Sequence, residues 1–270
     1  MNSIYQVLLN VLGGAITVGL IELWRLLNRT LAKRAFRRIF GEDIFSPMSF
    51  HLVYGEMELR PLQLPNGEVT KHPYQKPGEE ASGKVFSIDR PVSSCEVRSA
   101  KYLATMIGLE ARVGPSLSSD LYLKDRLDLS FIAFGGPGSN FKSRDAINNQ
   151  QNDMIKFDGS NLMSVKTGRA LVNLEDGFDY GLILKIHPTQ FQNRIWLVCA
   201  GRGEWGSSGA AWFIARKWRE IEKLAGNSQF SIVVRVRNEQ DEYAEPIQRL
   251  KNSAEAEIAA DKVKSIRSGL

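Results

Sequence analysis

A chain of 270 residues with 43% hydrophobic and 24% charged side chains has an ordinary globular composition, with room for one large domain plus appendages. Two cysteines, Cys95 and Cys199, exclude a disulfide framework and fit a reducing compartment, as buried bystander thiols. The net charge of +5 sits in one place, because residues 1–40 hold six basic side chains and one acid while the rest of the chain balances at zero. The body therefore lacks the spread basic face that nucleic-acid binding requires.

The first 21 residues, MNSIYQVLLNVLGGAITVGLI, contain no charged side chain and, as a helix, would span about 30 Å, enough for a hydrocarbon core. Gly13, Gly14 and Gly19 are small residues of the kind that let membrane helices associate, so a homo-oligomer through this helix is one expectation. Trp24 and the run Arg25, Arg29, Lys33, Arg34, Arg37 and Arg38 follow, and such residues favour the cytoplasmic interface. The expectation is a transmembrane helix over 1–24 and a basic juxtamembrane stem over 25–45. That is a single pass through the inner membrane, with the N-terminus outside and the body cytoplasmic. A basic amphipathic helix lying on the membrane is the alternative.

Residues 46–245 read as the folded domain. Phe50–Pro61 suggests a strand, and 60–90 a mobile loop rich in proline, glycine and charge. A helix capped by Ser93 or Ser94 follows, with Val97, Ala100, Leu103, Ala104 and Ile107 as its apolar stripe. Leu129–Phe134 is a buried strand entering a glycine turn. Three short strand candidates, in MIKFDGSN, VKTGRALVNLED and DYGLILKIHP, suggest a β-rich insertion. The strand Arg194–Ala200 then leads through a second glycine turn into a helix over about Ser207–Leu224, and QFSIVVRVRNE supplies a last strand. Residues 246–270 read as a polar C-terminal tail. The fold class is α/β, a Rossmann-like mixed sheet with a β-rich insertion, preceded by the transmembrane helix.

Two turns carry the chemistry. The first is Gly135, Gly136, Pro137, Gly138, Ser139 and Asn140, where Ser139 and Asn140 can cap the next helix. The second is Gly201, Arg202, Gly203, Glu204, Gly206, Ser207 and Ser208. A helix start at the carboxyl end of a strand attracts an anion, and two such starts side by side would make a shared crevice for a small anionic or nucleotide-like ligand. The G-x-G-x-x-G of the second turn lacks the acid about 20 residues on that a dinucleotide fingerprint needs, so hydride transfer is disfavoured and no cofactor is expected. Glu204 is a candidate acid–base carboxylate, with Asp120, Asp158 and Asp179 as possible companions in a glycosidic cleavage. His51, His72 and His187 fall in no metal-ligand spacing, so no metal is expected.

These residues resemble a Rossmann-like domain of bacterial proteins that carries G-G-P-x-x-N after one strand and A-G-x-x-x-x-G-T-x-x-A-A after a later one. The domain is attached to membrane segments, helix-turn-helix domains or ATPase modules, and a similar motif pair occurs in archaeal surface-layer proteins. Gly135, Gly136, Pro137 and Asn140 match the first motif. Ala200, Gly201, Gly206, Ala210 and Ala211 match the second, with Ser207 in place of threonine. The resemblance covers roughly residues 50–236 and implies a ligand-sensing or interaction module, set in prokaryotic signalling or defence. An enzyme acting on a nucleotide or sugar and a non-catalytic membrane scaffold are the alternatives.

Overall fold

A computed structural model gives the architecture. It describes residues 2–57, 62–63, 65–67, 69–70 and 91–251, with side chains for 16–57, 65–67 and 91–250. Helix α1 (Asn2–Phe40) leads into a 3-10 turn (Asp43–Phe45) and strand β1 (Phe50–Tyr54). Two short strands, β2 (Leu62–Gln63) and β3 (Val69–Thr70), pair with each other inside the stretch expected as a mobile loop, whose remainder lies mostly outside the described residues. Then come α2 (Ser94–Glu110), β4 (Ser116–Ser119), β5 (Ser130–Phe134) and α3 (Phe141–Ile147). Next are β6 (Ile155–Asp158), β7 (Asn161–Ser164), β8 (Phe178–Ile186) and β9 (Trp196–Gly201). Last are α4 (Glu204–Ala225), β10 (Phe230–Arg237) and β11 (Gln240–Lys251).

Seven strands form one mixed sheet in the order β11-β10-β8-β9-β5-β1-β4. Strands β4, β1, β5 and β9 are parallel, whereas β8 runs antiparallel to β9 and to β10, and β11 antiparallel to β10. The parallel part reads second-first-third-fourth in chain order, so strand order reverses between β1 and β5. That reversal opens a crevice at the carboxyl ends of these strands, where open α/β sheets bind their ligands.

The central strands are apolar on both sides, because both faces are covered. Phe50, Leu52, Ile132, Phe134, Leu197 and Cys199 face α2, α4 and the end of α1. Val53, Phe131, Ala133, Trp196 and Val198 face the layer holding α3 and the β6–β7 hairpin. The expected β-rich insertion is this hairpin alone, since VKTGRALVNLED contributes only a bridge from Ala170 to Met163, and DYGLILKIHP is a central strand of the main sheet. The stripe expected on α2 also shifts. Val97 is 60% exposed, and the buried face is Cys95, Glu96, Ser99, Leu103, Met106 and Ile107.

The polar tail expected from residue 246 begins instead as sheet. Residues up to Lys251 belong to β11, which pairs along β10 despite Pro246 because a register shift between Val233 and Val234 absorbs the proline. Residues 252–270 lie outside the described set.

The transmembrane expectation is not met among the described residues, where no helix is long and apolar enough to cross a membrane. Cations interrupt the described part of the run, and the side chains of residues 1–15 lie outside the described set. The end of α1 docks firmly. Phe36, Ile39 and Phe40 are buried, and Phe36 meets Trp218 of α4 edge to face at 4.9 Å. Arg38 pairs with Glu222 of the same helix. Lys185 of β8, fully buried, donates to the Arg38 carbonyl at 2.5 Å and to the Asn227 carbonyl at 3.4 Å, which satisfies an orphan carbonyl at the helix end.

Burial lowers the Lys185 ammonium from 10.5 to about 7. Between those values the unfolded chain holds one proton more than the folded chain, so stability should rise as pH increases from about 7 towards 10.5. Urea denaturation across this range should show the rise in the wild type and its loss in Lys185→Met.

Candidate functional site

The floor of the crevice is built by three strand ends. Gly55 follows β1, Gly135 follows β5 and Gly201 ends β9. Gly135 donates its N–H to the Cys199 carbonyl, and the point a Cβ on Gly136 would occupy lies 3.7 Å from the Gly201 carbonyl oxygen, so the two turns sit side by side. The space between them measures about 460 Å³. Gly135, Gly136, Pro137, Gly138 and Ser139 line it from the first turn, and Gly201, Arg202, Gly203, Glu204 and Ser207 from the second. Met57, Phe157, the hairpin tip at Gly159 and Ser160, the N-cap Ser93 and the α2 residues Cys95 and Glu96 complete the lining.

Three expected site residues stand elsewhere. Asn140 is buried beneath the first turn, where its side chain accepts from the Lys142 and Ser143 N–H groups and donates to the Val53 carbonyl. It is the N-cap of α3, as its position in the motif suggested. Gly206 belongs to the first turn of α4, because the helix starts at Glu204 rather than Ser207. Ser208 turns away and donates to Asp241 at 2.5 Å. Arg98 joins that network from α2, reaching Asp241 at 3.1 Å and Ser208 at 3.2 Å while lying 4.1 Å over the Trp205 ring.

The second glycine motif has a packing explanation. Helix α4 crosses β8 with almost no side chain between them. A Cβ at Gly206 would run into the Tyr180 carbonyl, and one at Gly181 into the Gly206 carbonyl and 3.1 Å from the Ala210 Cβ. Glycine and alanine at these positions let the helix backbone rest on the strand.

The helix starts are already occupied by the protein's own groups. Asp179, at the start of β8, accepts from Gly203 N–H at 3.1 Å and from Gly206 N–H at 2.7 Å, and so caps α4 from 24 residues upstream in sequence. Asp120 accepts from Phe141 N–H at 2.8 Å, while Asn140 takes the next two donors of α3. Five of the N–H groups expected to cradle an anion, those of Gly203, Gly206, Phe141, Lys142 and Ser143, are thus satisfied internally. Asp120 and Asp179, weighed as catalytic companions of Glu204, act as caps. Asp158 lies at the hairpin, and Glu204, exposed at the start of α4, accepts from Ser94 at 3.3 Å.

Glu96 is the group that sequence reasoning missed. It belongs to the first turn of α2 and lies outside the apolar stripe read there, yet it is only 4% exposed. Its Oε2 accepts the Gly55 N–H at 2.7 Å, and its Oε1 presses on Gly135, lying 2.6 Å from where a Cβ would stand. Gly135 has φ +81 and no room for a side chain, so the turn and the carboxyl are shaped to each other. Burial, offset in part by the Gly55 bond and reinforced by Asp120, raises this carboxyl from 4.5 to about 8. Burial also raises the Cys95 thiol, which lies beside it. Among the described residues no group of three or more His, Cys, Asp or Glu side chains could hold a metal ion.

Two outcomes follow. Between 4.5 and about 8 the folded chain holds a proton on Glu96 that the unfolded chain has lost, so stability should fall as pH rises through that window. Glu96→Gln, which keeps an acceptor for Gly55, should flatten that slope in urea denaturation. Separately, Gly206→Ala should destabilise the fold by about 3 kcal/mol or more, as overpacking against backbone does. Gly138→Ala, with nothing within 4 Å of its Cβ, should change stability by less than about 1 kcal/mol.

No protein-family model, no curated protein and no solved structure matches this chain, so the chemistry of the crevice itself carries the functional reading.

Proposed function

We propose that this chain is a membrane-tethered module that binds a small nucleotide-like ligand in the crevice between the two glycine turns, as a sensor or effector in prokaryotic signalling or defence. The observation that carries this reading is the convergence of both turns, from separate strand–helix units, on one space of about 460 Å³ at the carboxyl ends of β5 and β9, next to the reversal in strand order between β1 and β5. Glycines on the floor and Phe157, Met57 and Pro137 on the walls suit a flat ring.

The tether rests on α1. From Ile16 to Leu31 its apolar side chains, including Leu20, Leu23, Trp24 and Leu27, are exposed and interleaved with Arg25 and Arg29. Such a surface favours contact with anionic headgroups, with the uncharged run before it entering the bilayer. The body would then lie on the cytoplasmic side, and α1 could also hold copies of the chain together.

Thermal-shift measurements on the full chain in detergent, against nucleoside mono- and triphosphates, cyclic nucleotides and NAD, test the ligand reading. At least one should raise Tm, and Gly138→Trp, which sets a large ring on the crevice lining where a Cβ would meet nothing within 4 Å, should abolish the effect. No shift with any of them at millimolar concentration would favour a scaffold. Carbonate extraction tests the tether, since release of the protein into the supernatant rules out a spanning helix.

A second reading draws on the presence of both Glu96 and Glu204 in the crevice lining. One carboxyl held neutral beside another that stays exposed is an arrangement used for glycosidic cleavage. Product formation from a bound nucleotide, lost in Glu204→Gln, would establish it.

A further inference from the structure

We propose that the crevice reads a neutral, hydroxyl-bearing group, the nucleoside end of its ligand rather than a phosphate, and that Glu96 is the residue that recognises it. This rests on the ligand-binding reading above and assigns the part of the ligand that enters between the turns.

Three observations carry it. First, the helix starts already carry acceptors of the protein's own. At α4 Asp179 takes the Gly203 and Gly206 N–H groups, and at α3 Asp120 and Asn140 take those of Phe141, Lys142 and Ser143. A phosphate there would have to displace covalently tethered acceptors and approach two carboxylates.

Second, the lining offers no net positive charge to a phosphate, since burial keeps Glu96 neutral and Glu204 offsets Arg202. Glu204 faces it from α4, Glu96 from α2, and Arg202 is the cation on its lining. Asp120 and Asp179 lie behind the two turns. Arg98 of α2 is engaged by Asp241, and the Cys95 thiol is kept neutral by burial.

Third, Glu96 is a polar side chain more than nine-tenths buried, and it lines the space. Its Oε2 is committed to Gly55, whereas among the described residues no hydrogen bond reaches Oε1. A carboxyl in that state offers a donor and an acceptor at once, as a sugar hydroxyl or a base edge requires. Burial is what keeps it protonated at neutral pH, so that the donor exists. Glu204 beside it supplies a charged acceptor for a second hydroxyl.

The test is isothermal titration of the full chain in detergent with adenosine, guanosine, cytidine and uridine and with their 5′-monophosphates. The expected result is that at least one nucleoside binds, and at least tenfold more tightly than its monophosphate. Affinity for that nucleoside should fall as pH rises through about 8, where Glu96 ionises. Glu96→Ala should lower it at least tenfold, while Glu96→Gln, which keeps the acceptor for Gly55 and a donor for the ligand, should bind within about threefold of wild type and lose the pH dependence. Circular dichroism of both variants controls for folding, and retained binding by the Gln variant separates recognition from mere support of the turn. A monophosphate that binds as tightly as its nucleoside, with affinity indifferent to Glu96, would overturn this assignment and leave the crevice reading standing. Affinity that rises with pH through 8 would likewise overturn it, since Glu96 would then act as an ionised acceptor and not as a donor. Binding that survives Gly138→Trp would place the ligand outside the crevice and overturn both.

Discussion

Helix α4 lying directly on β8 is the constraint on which the rest of the molecule depends. Gly181, Gly206 and Ala210 remove the side chains that would keep helix and strand apart. The close approach brings the start of α4 to Asp179, whose carboxylate accepts from Gly203 and Gly206. That cap fixes where the helix begins, and therefore where the second glycine turn stands relative to the first. The far half of the same helix presents Trp218 and Glu222 to α1. One 22-residue element thus sets both the shape of the crevice and the seat of the N-terminal helix.

Capping from within changes what a strand–turn–helix unit can do. In nucleotide-binding sheets the positive end of the helix is left for a phosphate. Here a carboxylate of the neighbouring strand takes that position, and a buried amide does the same for α3. The fold keeps the geometry of an anion site while turning the Gly203 and Gly206 donors of α4, and the first three of α3, to its own acceptors. Glu96 then becomes the polar group of consequence, held between β1 and β5 by the Gly55 N–H and matched to a glycine at positive φ.

How much of this was legible depended on whether the deciding contact was local. The strands around Phe131 and Val198 could be read from their apolar runs, and Asn140 as a cap from its place in the first turn, because neighbours in sequence decide both. The pairing of the two turns was also legible, since each follows a buried parallel strand. The start of α4 was misplaced by three residues because its cap comes from Asp179, a long-range contact without a sequence signature. Glu96 was invisible for the same reason: only the fold brings it against Gly55 and Gly135. Strand β11, polar and interrupted by Pro246, looked like a tail because its pairing along β10 and the packing of Ala244, Ile247 and Leu250 outweigh its weak β-propensity.

The unbroken course of α1 into its buried last turns has a geometric consequence. A helix advances by about 100° per residue, and this one is gripped by Phe36, Phe40 and Lys185 at its end. Whatever holds its upstream part therefore also sets the compass bearing of the body around the helix axis. Removing seven residues from the exposed stretch would return the crevice to nearly its original bearing, whereas removing five would turn it to the opposite side. The stem is a register as well as a spacer.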